Sequence, residues 1–224
     1  MSLHASGKET IDRIQENLIA YFRLFDGLPG IHFVEGDMTW IVSKGLPGNM
    51  VLGTKLSGNE IEQRLDEALN QIGRGCDQID WWIFPGCQPE DLGERLIAKG
   101  TAGGPDGTWG LVGKIGGQGG TWMLADLASL SCPSVPDGFH TKQVTDLTLL
   151  NQWKETSAEG FGGGDYQILY DAFARHGLGP DDMAAHYIGY LDDTPVTAAT
   201  LLLAGSIASV YNVSTPEALR QRGF

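Results

Sequence analysis

Three strand-like runs placed back to back near the C-terminus constrain this chain most. They are Ala184–Leu191, Val196–Ala204 and Ser206–Val213. Asp192-Asp-Thr-Pro195 supplies a turn between the first two, and Gly205 supplies one between the second and third. Such runs, joined by short turns, predict an antiparallel meander. The third run leaves through Val213-Ser-Thr-Pro216 and enters Arg220-Gln-Arg-Gly-Phe224, a basic loop carrying glycine. A strand, a basic Gly loop and a helix start together make an anion site. Unpaired backbone N–H groups and the helix dipole both point at the ligand there. The helix of that trio is expected beyond residue 224.

The meander needs helices to cover it, and the segment before it predicts two. Thr145 or Asp146 starts one, with Leu147, Leu150 and Trp153 inward. Gly160-Phe-Gly-Gly-Gly164 breaks it. Asp165 caps the next, with Leu169, Tyr170 and Phe173 on one face and Gly177 at its end. Phe139–Val144, ahead of both, reads as a strand. Cys132-Pro-Ser-Val-Pro-Asp-Gly138 has linker chemistry and sets a domain boundary, giving domains 1–132 and 133–224.

The first domain interleaves the same kinds of element. Ile11, Ile14, Leu18, Tyr21, Phe22 and Phe25 recur at helical spacing. Strand runs follow at Ile31–Glu35, Thr39–Ser43 and Asn49–Thr54. Ser57 and Glu60 form a capping box ahead of a helix with Ile61, Leu65, Leu69 and Ile72 inward. Asp80–Phe84 reads as a buried strand. Pro89 opens a helix with Leu92, Leu96 and Ile97 inward. Gly100–Gly120 is crowded with glycine, but a strand-like run, Thr121–Leu127, follows it where a nucleotide loop needs a helix. A hairpin or loop is expected instead.

With 42% hydrophobic residues, the 224-residue chain can bury a sizeable core. A net charge of -13 and a pI near 4.6 disfavour nucleic acid and anionic lipid as main partners. Cys76, Cys87 and Cys132 do not suggest a disulfide framework, so a reducing, cytoplasmic setting is expected. No apolar run reaches about 18 residues, and Met1–Lys8 lacks a signal-peptide core. His4, His32, His140, His176 and His186 fall in no metal spacing, so no metal is expected. No Gly-x-Ser-x-Gly elbow occurs, and no cysteine has an activating partner in sequence. Asp181-Asp182 and Asp192-Asp193 read as solvated turn carboxylates.

From about Phe139 onward the chain resembles the GNAT superfamily of acyl-CoA N-acyltransferases. The resemblance rests on the meander, the Tyr211–Pro216 exit and Arg220-Gln-Arg-Gly-Phe224, which matches five positions of the family's Q/R-x-x-G-x-G/A segment. The sixth position would be residue 225, so the resemblance implies a chain cut within that loop. It implies an α+β fold in which a largely antiparallel mixed sheet is flanked by helices, in two similar subdomains with the second incomplete. Residues 30–130, through Trp81–Gly86, Pro89–Leu96 and Trp122–Leu127, resemble the extra domain of two-domain members. Such a domain is a degenerate copy without its own cosubstrate site.

Carried over by position, Asn212, Val213, Ser214 and Thr215 would contact the pantetheine and acyl end of acetyl-CoA. Arg220, Gln221, Arg222 and Gly223 would contact its pyrophosphate. The strand edge near Val213 would pair with pantetheine as with another strand. The implied activity is acetyl transfer to a primary amine of a small molecule or peptide. Glu217 and Glu159 are the bases considered, and neither is assigned. The alternative is a catalytically inactive binding or interaction protein derived from the same family, with a homodimer expected through the strand edge.

Overall fold

The computed structural model describes residues 7–73, 79–103, 108–111, 125, 134–179 and 181–223. Side chains between 101 and 111 are not described. The chain divides into two compact units, 1–126 and 127–224. The expected boundary after residue 132 and the Thr121–Leu127 strand fall in or beside undescribed residues, as do His4, Cys76 and Cys132.

Unit 1 begins with helix α1 (Gly7–Arg23), whose Ile14, Leu18, Tyr21 and Phe22 are buried. Strands β1 (His32–Val34), β2 (Met38–Val42) and β3 (Met50–Thr54) form an antiparallel set. Helix α2 (Ile61–Ile72) then carries the chain to β4 (Asp80–Trp82), which pairs parallel to β3. Helix α3 (Leu92–Ala98) leads to β5 (Thr101–Gly103) and β6 (Thr108–Leu111). The sheet order is β1-β2-β3-β4-β6-β5. The glycine-rich run thus includes an antiparallel pair, β5 with β6.

Two local expectations differ. Glu60 is the N-cap of α2 and its side chain makes no capping bond, so the Ser57–Glu60 box does not form. Ile97 is 53% exposed because α3 packs through Leu92 and Leu96, one turn apart, and Ile97 lies off that stripe. Trp81 and Trp82 alternate as strand neighbours do. Trp81 is buried and donates its indole N–H to Thr54 Oγ1 at 3.0 Å.

Unit 2 is a four-stranded antiparallel sheet with one helical layer. Strand β7 (Phe139–Gln143) precedes α4 (Leu147–Gly160) and α5 (Gln167–His176). The meander β8 (Ala184–Leu191), β9 (Thr194–Ala204) and β10 (Ile207–Ser214) follows, in the order β10-β9-β8-β7. Gly205 (φ 60) and Ser206 (φ 63) make the second turn, the double positive φ of a twisted two-residue hairpin.

Alternate residues of the meander point one way and are buried. They include His186, Ile188, Val196, Ala198, Thr200 and Leu202. Leu150 and Trp153 of α4, with Leu169, Ala172 and Phe173 of α5, complete the buried set. Trp153 and Phe173 meet edge to face at 5.3 Å, and full burial of a ring contributes about 2–3 kcal/mol. Leu147 sits on the first residue of α4, beyond reach of this layer, and is 53% exposed. Asp146 Oδ1 caps α4 by accepting from the Leu149 N–H at 2.8 Å. Asp165 Oδ1 accepts from the Gln167 N–H at the start of α5. Among the described residues no helix is long and apolar enough to cross a membrane.

Candidate functional site

The end of β10 departs from regular strand geometry. Tyr211 pairs with Thr200 of β9, and Ser214 pairs with Ala198. Two residues of β10, Asn212 and Val213, therefore oppose Ala199 alone, which is a β-bulge. Asn212 takes φ 53, a conformation asparagine tolerates better than branched residues do. The extra residue reverses the alternation. Ser214 turns inward to 4% exposure, while Val213 turns outward to 60%.

Side chains hold this bulge. Thr197 Oγ1 donates to the Ser214 carbonyl at 2.6 Å, and Thr215 Oγ1 donates to Thr197 Oγ1 at 3.2 Å. The Trp153 indole donates to the Ala199 carbonyl at 3.1 Å. Gly160, the last residue of α4, presses against the same spot. A Cβ on Gly160 would lie 2.6 Å from Ser214 Cβ and 2.9 Å from the Thr215 nitrogen. Only glycine lets the helix end approach the strand this closely.

Past Pro216, a 3-10 turn at Glu217–Leu219 folds the chain back. Arg220 Nε then donates to the Thr215 carbonyl at 3.0 Å, and Arg220 Nη2 donates to the Gly160 carbonyl at 2.8 Å. The expected anion-facing guanidinium is thus occupied by backbone. Gln221 (φ 63) and Gly223 (φ 86) take left-handed conformations, and Arg222 is exposed. The eight expected site residues fall in two groups of four, Asn212–Thr215 at the bulge and Arg220–Gly223 in the loop, with the 3-10 turn between them. Neither Glu217 nor Glu159 is buried. The bulge is signalled in sequence only by asparagine at position 212, and the Arg220 contacts by nothing local.

Other chemistry is quiet. His186 lies between Trp153 (5.4 Å) and Phe173 (4.1 Å), with Nδ1 2.9 Å from Thr200 Oγ1. Burial lowers its pKa to about 4, so it is a neutral core residue. Burial also raises the Cys87 thiol, which keeps it protonated and unreactive. Desolvation raises the Tyr211 phenol. Among the described residues no His, Cys, Asp and Glu group could hold a metal ion.

Unit 1 has a strand, loop and helix start at β3–α2, but the edge beyond β3 is filled. β4 pairs with it, Gln88 N–H donates to the Thr54 carbonyl at 2.9 Å, and Leu56 N–H donates to the Gln88 carbonyl at 3.0 Å. The acidic Glu60 stands at the N-cap position of α2 without a side-chain capping bond, and its negative charge disfavours an anion at that helix start.

No protein-family model and no curated protein matches the sequence. Among solved structures, the chain is similar to a GCN5-related N-acetyltransferase from Kribbella flavida. The TM-score is 0.54 at 13% identity, over 93% of this chain and 75% of that one. A functionally unknown conserved protein from Staphylococcus epidermidis aligns with a TM-score of 0.43 at 9% identity, over 88% of this chain and 77% of that one. The first likeness shows the fold: α+β, with mixed and antiparallel sheets flanked by helices, of the GNAT type.

Proposed function

We propose that the chain is an N-acetyltransferase that moves an acetyl group from acetyl-CoA to a primary amine of a small molecule or peptide. The observation that carries this reading is the bulge at Asn212–Val213. It turns Val213 outward at the end of β10, one 3-10 turn ahead of a basic loop with left-handed residues at 221 and 223. The pantetheine arm lies along Asn212 and Val213, with Ser214 and Thr215 fixing the strand from within. The pyrophosphate lies on the Arg220–Gly223 loop, where backbone N–H groups and Arg222 meet it. The neutral amine attacks the thioester carbon and forms the C–N bond. The Val213 N–H stabilises the developing oxyanion, the C–S bond breaks, and the thiolate takes up a proton as the amine loses one. Unit 1, with its edge filled and its helix start acidic, holds no second cosubstrate in this reading.

A second reading is binding without turnover, in a protein of the same ancestry. The engagement of Arg220 with two backbone carbonyls favours it, because fewer of its N–H donors are left for the phosphates. Isothermal titration with acetyl-CoA, followed by a thiol-release assay over an amine panel, separates the two. Heat with thiol release supports the transferase. Heat without release on any amine supports the binding protein. An absence of heat with acetyl-CoA and with free CoA removes both.

A further inference from the structure

We propose that Arg220 is a positioning residue that locks the loop to the end of α4, while Arg222 carries the charge that meets the phosphate. This division of labour rests on the acetyl-CoA reading for Arg222 but not for Arg220.

The last four carbonyls of a helix have no partner within it. In α4 these belong to residues 157–160. Phe161 N–H donates to Ser157, Gly163 N–H to Ala158 and Gly162 N–H to Glu159, at 2.8–3.1 Å. The Gly160 carbonyl remains, and Arg220 Nη2 takes it. The guanidinium sits at the negative end of the helix dipole, where a cation is stabilised. Its Nε simultaneously holds the Thr215 carbonyl, where the chain leaves β10. One side chain thus joins two points far apart in sequence and closes a ring of residues 215–220 with the 3-10 turn inside it. Both bonds use the planar fork of arginine in a fixed direction. Lysine has the charge, but its donors radiate from one nitrogen on a flexible stem and do not match the fixed spacing and direction of the fork.

That difference supplies the test. Arg220→Lys, Arg220→Gln and Arg222→Gln are compared with the parent chain by peptide-resolved hydrogen exchange without ligand, and by titration with CoA below each variant's unfolding midpoint. Both Arg220 variants are expected to speed exchange across 212–223 by ~10-fold or more, with Arg222→Gln staying close to the parent. Both are expected to weaken CoA by a similar factor, roughly 5- to 10-fold, although one of them keeps the charge. Arg222→Gln is expected to weaken CoA with no change in exchange. Parent-like exchange in both Arg220 variants overturns the proposal. So does Arg220→Lys binding CoA as the parent does while Arg220→Gln does not, since Arg220 would then act by charge. If the parent itself gives no heat with CoA, the transferase reading falls, and the exchange measurement alone decides the role of Arg220.

Discussion

His186 shows how much a single buried side chain sets. Thr200, Trp153 and Phe173 surround it, and no charged partner contacts it among the described residues. Its folded pKa of about 4 lies below the ordinary 6.5. The unfolded chain therefore binds a proton at a pH where the folded chain does not. The contribution of the neutral ring is complete above the ordinary value. It is lost as pH falls from 6.5 to about 4. At ~1.4 kcal/mol per pH unit this amounts to about 3 kcal/mol. Urea unfolding across that window is expected to show a steeper loss for the parent chain than for His186→Gln, which cannot take up the proton. Equal slopes would place the titration elsewhere. From sequence a structural or surface role was legible for this histidine, from its lack of metal spacing. Its partners were not, because they come from α4, α5 and β9.

At the scale of elements, α4 and β10 meet through a helix end and a bulge rather than through flat faces. Gly160→Ala is expected to cost about 1–3 kcal/mol by urea unfolding, because the new methyl meets the Ser214 side chain and the Thr215 backbone. An unchanged midpoint would mean that the strand exit can shift freely. The meander, α4 and α5 were legible in sequence because hydrophobic period and turn residues act locally. The bulge was not, since the pattern reads through it as one strand, and only pairing with β9 shows two residues opposing one. Gly160 read as a helix breaker. Its role in close approach depends on Ser214, 54 positions later in the sequence. The Ser57–Glu60 motif had the right spacing, but the helix begins one residue past Glu60 and leaves the box without its geometry.

For the whole molecule, the net charge of -13 opposes any anionic ligand at a distance, whereas in the proposed acetyl-CoA reading the loop would attract it close by. Stopped-flow association with CoA is therefore expected to quicken as salt rises from low to physiological strength, by about 2- to 5-fold. A rate that falls instead would mean that a local basic field dominates the approach. The GNAT-type fold was legible from the meander and the loop together, and the α+β layering followed from the alternation of periods.

The Arg220 lock has one more consequence, for proteolysis. Between Arg175 and Arg220 the sequence holds no lysine or arginine, so trypsin finds no cleavage site within the meander. To cut after Arg220 the protease must take that guanidinium into its own acidic pocket, and the side chain must first release Gly160 and Thr215. Arg222, exposed two residues later, requires no such release. The order in which those two bonds are cleaved is a direct clock for how often the loop lets go of the helix.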